Sequence, residues 1–362
     1  MVAINRNKPR KTTTSEAPKK RGPSSLPHNR AWLKPLVPLG YTRSFNPKAP
    51  PVQNLKSERH HWWPRCVSKH WANQDGFAHF ITPDGVSKRV PPAKLGMIGN
   101  GHHIKFNKDA TEGSPWDTSF ESEFDIADHN FPNIISWLAE LSKFECFSRE
   151  PQLRFVAQDC TDDQLRTLTE CVVSLAVRSP RSREQYVSMA EHLRGSLPTP
   201  ERNMLIGLNM RNGQRMISDS IGCNAKFVIL YSTGKEFIYG DGFFHNVSGL
   251  TAPPLSPSIL APITPTISVL ITRPLSYCVE PRLSSIVLSD SEIDACNHAV
   301  QVYSKGALFY RNEQPEVMDD FACYQHRQYE SPDHPIDTFI GSIPGVPPKS
   351  RTQDFLNHIR SS

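Results

Sequence analysis

Apolar residues in this chain change their spacing after residue 221, and that change limits the class of fold open to it. From about residue 118 to that point they recur at helical intervals. Phe120, Phe124, Ala127, Phe131, Ile134, Ile135, Leu138 and Leu141 form one stripe within 118–147, where Pro132 is expected to kink or break the helix. Leu165, Leu168, Cys171, Val172, Leu175 and Ala176 form a second over 162–177, opened by Thr161-Asp-Asp-Gln164 at capping-box spacing. Two more helices are predicted over 182–195 and 201–221. Beyond 221 the runs 226–231, 236–239, 267–271 and 285–288 are rich in branched and aromatic residues and read as strands. The turn Ser232-Thr-Gly-Lys235 predicts a hairpin from the first two. A last helix is expected over 290–304, with Ile293, Cys296, Val300 and Tyr303 apolar. Near the start, 76–81 and 86–90 flank Thr82-Pro-Asp-Gly85, the signature of another hairpin. The chain thus reads as α+β: an N-terminal β hairpin region, a helical middle, and a C-terminal antiparallel sheet closed by a helix.

The 362 residues are enough for one large domain or two ordinary ones. Residues 1–58 are rich in Lys, Arg, Pro, Ser and Thr, and they bury too little apolar surface to offset their ordering entropy. They are expected to form a disordered basic arm. Residues 1–60 carry thirteen Lys or Arg against two acids, whereas the rest carries 28 against 34. Any electrostatic argument about partners therefore belongs to the arm. Its clusters Lys8-Pro-Arg10-Lys11 and Lys19-Lys20-Arg21 suit non-specific, salt-sensitive contacts to nucleic-acid phosphates, or alternatively a solubilising tail. Residues 59–310 read as a single α+β domain, and 311–362, polar and proline-bearing, as a loosely attached tail.

The eight cysteines include no C-x-x-C pair, which argues against a zinc ribbon or finger and for reduced, mostly buried thiols. No run approaches the roughly 20 apolar residues of a membrane helix. The basic start has no apolar signal core behind it, so a cytoplasmic protein without membrane partners is expected.

Chemistry is concentrated in 59–71, where His60, His61 and His70 sit among Trp62, Trp63 and Trp71, three of the chain's six tryptophans. Histidines move protons near neutral pH and tryptophans wall a site, pack a core or stack on bases. Neighbouring side chains on a strand diverge, so only one of His60 and His61 faces a common site, and His61 is the expected one. His102 and His103 read as an exposed loop. Glu121 and Asp128, seven apart, share a helix face and are candidate ligands for a divalent cation, or simply a solvated surface. Arg178-Ser-Pro180, followed by Arg181 and Arg183, suits an anion clamp or salt bridges to nearby acids. Asp241 lies between Gly240 and Gly242 at a strand end, as a reactive carboxylate or a turn aspartate. Asn297 shares a side with Ile293 and Val300 and needs partners if buried.

In order, His61-x-x-Pro64 with Trp71 seven residues on, Glu121 and Asp128, Arg178-Ser-Pro180, Asp241, the proline-bounded strand 262–272 and Asn297 resemble domain-of-unknown-function family 4238 over about 60–310. The departures are Arg65 for the usual Gln, tryptophan at both positions between His and Pro, and Gly240 and Gly242-Phe243 where that family carries Ser-Asp-x-Pro. Its members lack a defined activity, and some are carried by phages, satellites and defence loci. The resemblance therefore implies an antiviral-defence or toxin-like effector acting on nucleic acid.

No glycine-rich phosphate loop, nucleophile elbow or H-E-x-x-H occurs. Two classes stay open. One is a metal-dependent nuclease: His61 as general base or acid, Asp241 with Glu121 or Asp128 on a cation such as Mg²⁺, Arg178 on a phosphate, and Asn297 beside them. The other is a non-catalytic binding module that holds nucleic acid through Lys8, Arg10, Lys11, Lys19, Lys20 and Arg21 and a protein through its body. Convergence of a histidine, a carboxylate and Arg178 would favour the first.

Overall fold

The computed structural model describes residues 59–99, 103–104, 118–144, 148, 150–242, 258–272, 280–323 and 335–346. The chain divides into Met1–Pro51 and Val52–Ser362, and every described residue lies in the second unit. The basic arm expected over 1–58 falls outside the described residues. What the structure gives is a mixed α+β body.

The chain enters through β1 (Arg59–His61) and the short helix α1 (Arg65–Ser68), which continues into a 3₁₀ turn, Lys69–Trp71. Strands β2 (Ala78–Ile81) and β3 (Ser87–Val90) pair antiparallel around the Pro-Asp-Gly turn. A second 3₁₀ turn, Pro92–Lys94, leads to β4 (Met97–Gly99), which pairs with β1. β5 (His103–Ile104) pairs with β6 (Thr118–Ser119), so His103 belongs to a strand and not to the loop expected there.

The helical middle opens later than its periodicity suggests. Residues 121–123 form a 3₁₀ turn, and α2 runs over Asp125–Glu140 with Pro132 inside it. Glu121 and Asp128 therefore do not share one helix. β7 (Val156–Ala157) precedes α3 (Asp162–Arg178), whose capping box is formed: Thr161 Oγ1 accepts from the Gln164 amide at 3.2 Å, and Gln164 Oε1 accepts from the Thr161 amide at 2.8 Å. Apolar residues on several sides of α3 suit its position in the core, between α2, α5 and a sheet. α4 (Pro180–Arg194) starts with proline, whose fixed φ suits a first helical turn, and α5 (Thr199–Ile221) packs on both α3 and α4.

β8 (Lys226–Tyr231) is buried along its whole length, as a strand covered on both faces must be. It lies inside a five-stranded sheet of order β10-β11-β8-β12-β7, built with β10 (Ser258–Thr264), β11 (Ile267–Thr272) and β12 (Leu283–Val287). β12 runs parallel to β8, so the sheet is mixed where the sequence suggested an antiparallel one. The Tyr231 hydroxyl donates to the Leu138 carbonyl and ties β8 to the end of α2. The hairpin expected across Ser232–Lys235 does not form, because β9 (Tyr239–Gly240) pairs instead with residues 308–309 in another sheet, which also holds β2 and β3.

α6 (Asp290–Tyr303) opens on a Ser289/Glu292 capping box and is followed by β13 (Leu308–Tyr310), which sits between β2 and β9. Beyond residue 310 the described chain is not loosely attached. α7 (Asp319–Ala322) carries Phe321 into full burial, α8 (Pro335–Ser342) packs on α6, and Ile343 is buried. Gln301 of α6 holds this segment with both ends of its amide, accepting from the Met318 amide and donating to the Glu316 carbonyl, each at 2.9 Å. The polar composition of 311–362 concealed these few apolar anchors.

Candidate functional site

The register of β1 on β4 decides which histidine faces inward. His60 lies opposite Ile98 and His61 opposite Met97. Alternation then buries His60, only 2% exposed, and leaves His61 half-buried, the reverse of the sequence expectation. His61 Nδ1 lies 3.2 Å from the Leu95 carbonyl. A carbonyl only accepts, so Nδ1 carries a proton and donates it. His60 Nε2 stands 3.3 Å from Glu121 Oε2, tying β1 to the turn before α2.

The three tryptophans form core and not an exposed stacking surface. The Trp63 ring stacks on Tyr239 at 4.2 Å, and Tyr239 stacks in turn on Phe309 at 4.6 Å. Trp71 meets Tyr239 edge-on at 4.6 Å and donates its indole N–H to the Ile263 carbonyl at 3.1 Å. The opening motif therefore links the four-stranded sheet, through Tyr239 and Phe309, to β10 of the five-stranded one. Pro64 is the N-cap of α1, and its carbonyl accepts from the Ser68 amide at 2.9 Å.

Asp128 and Arg178 meet across α2 and α3. Both carboxylate oxygens accept from the guanidinium, at 2.7 and 3.1 Å, while Arg178 Nε donates to the Ser174 carbonyl and Nη2 to Ser174 Oγ, each at 3.1 Å. The guanidinium also lies over the Phe124 ring at 4.6 Å. Arg178 is 1% exposed and Asp128 is 40% exposed, so water reaches only the carboxylate end. Pro132 has no N–H for the Asp128 carbonyl four residues back, and the Cys66 thiol of α1 lies 3.8 Å from that oxygen. Burial pushes the Cys66 thiol above its ordinary range, and the Asp128 charge adds to the effect. The opening motif, the acidic helix and the Arg-Ser-Pro element meet here through Cys66, Asp128 and Arg178.

Asp241 holds a different junction. Its carboxylate accepts the Lys305 amide at 2.8 Å and the Gly306 amide at 2.7 Å, fixing the turn after α6. Its own carbonyl accepts the Arg181 amide at 3.1 Å, at the start of α4, and its amide donates to the Ala307 carbonyl at 3.0 Å. Burial raises its pKa against the pull of the two amides on the carboxylate. Around it, Glu184 accepts from Lys305 at 2.9 Å and pairs with Arg181 at 3.7 Å. Side chains at Gly240 and Gly242 would run into Ser304 and into the Tyr303 carbonyl. Asn297 is engaged on main chain at both ends, its Oδ1 accepting from the Ile238 amide at 3.0 Å and its Nδ2 donating to the Glu236 carbonyl at 2.9 Å.

The residues singled out from the sequence thus fall into separate pairings. Arg178 goes with Asp128, Glu121 with His60, Asp241 with the Lys305–Gly306 turn, Asn297 with the strand approach to β9, and His61 with Leu95. Among the described residues, no group of three or more His, Cys, Asp and Glu is arranged to hold a metal ion. His60 and Cys66 were missed as partners because both contacts depend on pairing with distant segments. No protein-family model, curated protein or solved structure matches this chain. No helix among the described residues is long and apolar enough to cross a membrane.

Proposed function

We propose that this chain is a nucleic-acid-binding protein that attaches through its basic N-terminal segment, with the α+β body as a non-catalytic scaffold. The carrying observation is the partition of charge: thirteen Lys or Arg against two acids in residues 1–60, and 28 against 34 in the rest. A segment so composed binds phosphates by releasing counterions, with an affinity that falls steeply as salt rises.

The pairings within the body support the same reading. The metal-dependent phosphodiester hydrolysis suggested by the sequence needs Asp241 open to a cation and Arg178 free to reach a phosphate. Arg178 is instead buried on Asp128, Asp241 accepts two amides, and both ends of the Asn297 amide are engaged. A metal-dependent nuclease would have to release these groups first. Membership of domain-of-unknown-function family 4238, a cytoplasmic location and a role as a defence-type effector belong to the same proposal.

The test is fluorescence anisotropy of a short labelled duplex over a salt series. It compares the full chain with a full-length variant carrying Gln at Lys8, Arg10, Lys11, Lys19, Lys20 and Arg21. The wild type is expected to bind with a steep log Kd against log salt slope, and the variant to be weaker by at least about tenfold with a shallower slope. Unchanged binding by the variant would remove the arm from the function.

A further inference from the structure

We infer that the body carries a second phosphate-binding surface, a platform of α1 and the 3₁₀ turns Lys69–Trp71 and Pro92–Lys94 that presents Arg65, Lys69 and Lys94 to the backbone of duplex nucleic acid. The inference rests on nucleic-acid binding as the chain's function and names the form of ligand the body itself takes.

The platform is a packed unit. α1 and the two turns touch one another, and the Lys69 amide donates to the Arg65 carbonyl, so those two side chains lie one helical turn apart. Arg65, Lys69 and Lys94 are all exposed. The opening motif holds the turn bearing Lys94 in place: His61 bonds the Leu95 carbonyl, the Trp62 amide donates to the Gly96 carbonyl at 2.8 Å, and Gly96, at φ +64°, abuts Trp63. A side chain at position 96 would collide with the Trp63 Cβ and force the turn away.

These cations differ from the ion-paired ones of the body and share their lack of a salt bridge among the described residues with Lys88, Lys143, Arg166 and Arg211. Arg154, Arg178, Arg215, Arg282, Lys235 and Lys305 each face a carboxylate within salt-bridge distance, whereas Arg65, Lys69 and Lys94 have no such partner among the described residues. Neither 59–74 nor 85–108 contains an Asp or Glu, and of the acids beside α1, Asp128 on α2 is taken up by Arg178 while Glu121, just before α2, lies 3.3 Å from His60. Burial lowers the pKa of His70, and the neighbouring Lys69 charge adds to the effect. Such a surface complements a polyanion. Proteins that hold single strands stack bases on aromatic rings, and here Trp62, Trp63 and Trp71 are all buried. The complement is therefore the duplex backbone, read without sequence preference.

The experiment is a salt series on the full chain with a labelled duplex and, separately, a single strand of the same sequence. The variant R65Q/K69Q/K94Q is expected to melt like the wild type, with a Kd raised at least about tenfold and a log–log slope shallower by about 2–3. The charge-preserving R65K/K69R/K94R is expected to retain the slope. R194Q/K235Q/R282Q, which removes the same charge from paired surface sites, should leave the slope unchanged. An unaltered slope in the platform variant, or an equal loss in the paired-site control, would overturn the platform; the arm reading survives if the arm variant still loses binding. Preference for the single strand, or binding only to vesicles containing phosphatidylserine, would also overturn it. No duplex binding by the wild type would remove both readings.

Discussion

Arg178, at the last turn of α3, holds both carboxylate oxygens of Asp128 on α2 while itself excluded from water. A guanidinium in that position is stable only while its counter-charge stays in place. Asp128→Ala is therefore expected to destabilise the body by about 3 kcal/mol, the lower end for a broken buried pair because Asp128 is partly hydrated. Urea unfolding measures this. Replacing the pair together, as Arg178→Met with Asp128→Leu, should recover most of the loss, and equal loss in the double variant would show that the pair is not the cause.

His60 and His61 should separate in the opposite sense from the sequence expectation. His60→Ala empties a buried position on β1 and strands its contact to Glu121, so a loss of about 1–3 kcal/mol is expected. His61→Ala should cost less, since its ring is half-buried and makes a bond to Leu95 at 3.2 Å. Thermal melts of the two variants compare them directly.

Which histidine faces inward could not be read from 59–71 because alternation fixes only that they differ. The choice is made by β4, a strand reached only after the intervening hairpin and turn. The same limit explains β9. The local signal at Ser232-Thr-Gly-Lys235 is a fair turn, but the chain beyond it is held by Asn297 and pairs with β13, so long-range pairing overrides the hairpin. By contrast α3 was legible almost residue for residue, since its capping box and apolar stripe are local. The mixed five-stranded sheet had a signal too: β8 is apolar without alternation, the mark of a strand covered on both faces.

Glu170 offers a pH test. It accepts from Gln214 Nε2 at 2.6 Å, and burial raises its pKa above the ordinary carboxylate value. A folded-state pKa above the unfolded one means the native state binds more protons, so this group's contribution declines as pH rises from the unfolded value through the folded one. Gln214 Oε1 is also buried, with no partner among the described residues. Glu170→Gln removes the charge and adds a donor to that pair. The variant is expected to match the wild type near pH 4 and to be the more stable of the two at pH 8, by urea unfolding; a gap that closes with rising pH would contradict the assignment.

Asn297→Ala should cost about 1–3 kcal/mol, because it strands the Ile238 amide and the Glu236 carbonyl ahead of β9. Asn297→Asp keeps the acceptor and loses the donor, so it is expected to fall between wild type and alanine. Equal stability of all three in chemical denaturation would place those backbone groups in water.

Millimolar Mg²⁺ is expected to leave the melting temperature unchanged. A cation held a hundredfold more tightly than its concentration would add about 2.7 kcal/mol, well within what calorimetry resolves. Such a rise, abolished by Glu121→Gln, would return the carboxylates to the centre of the function.

Gly240 and Gly242 leave Asp241 between two positions that admit only hydrogen, pressed against Ser304 and the Tyr303 carbonyl. In a saturation-mutagenesis map the flanks should then be as intolerant as the acid they enclose. A conserved-looking triplet of that kind is easily mistaken for catalytic selection. Here its sharpness would record how closely one strand end and one helix end approach.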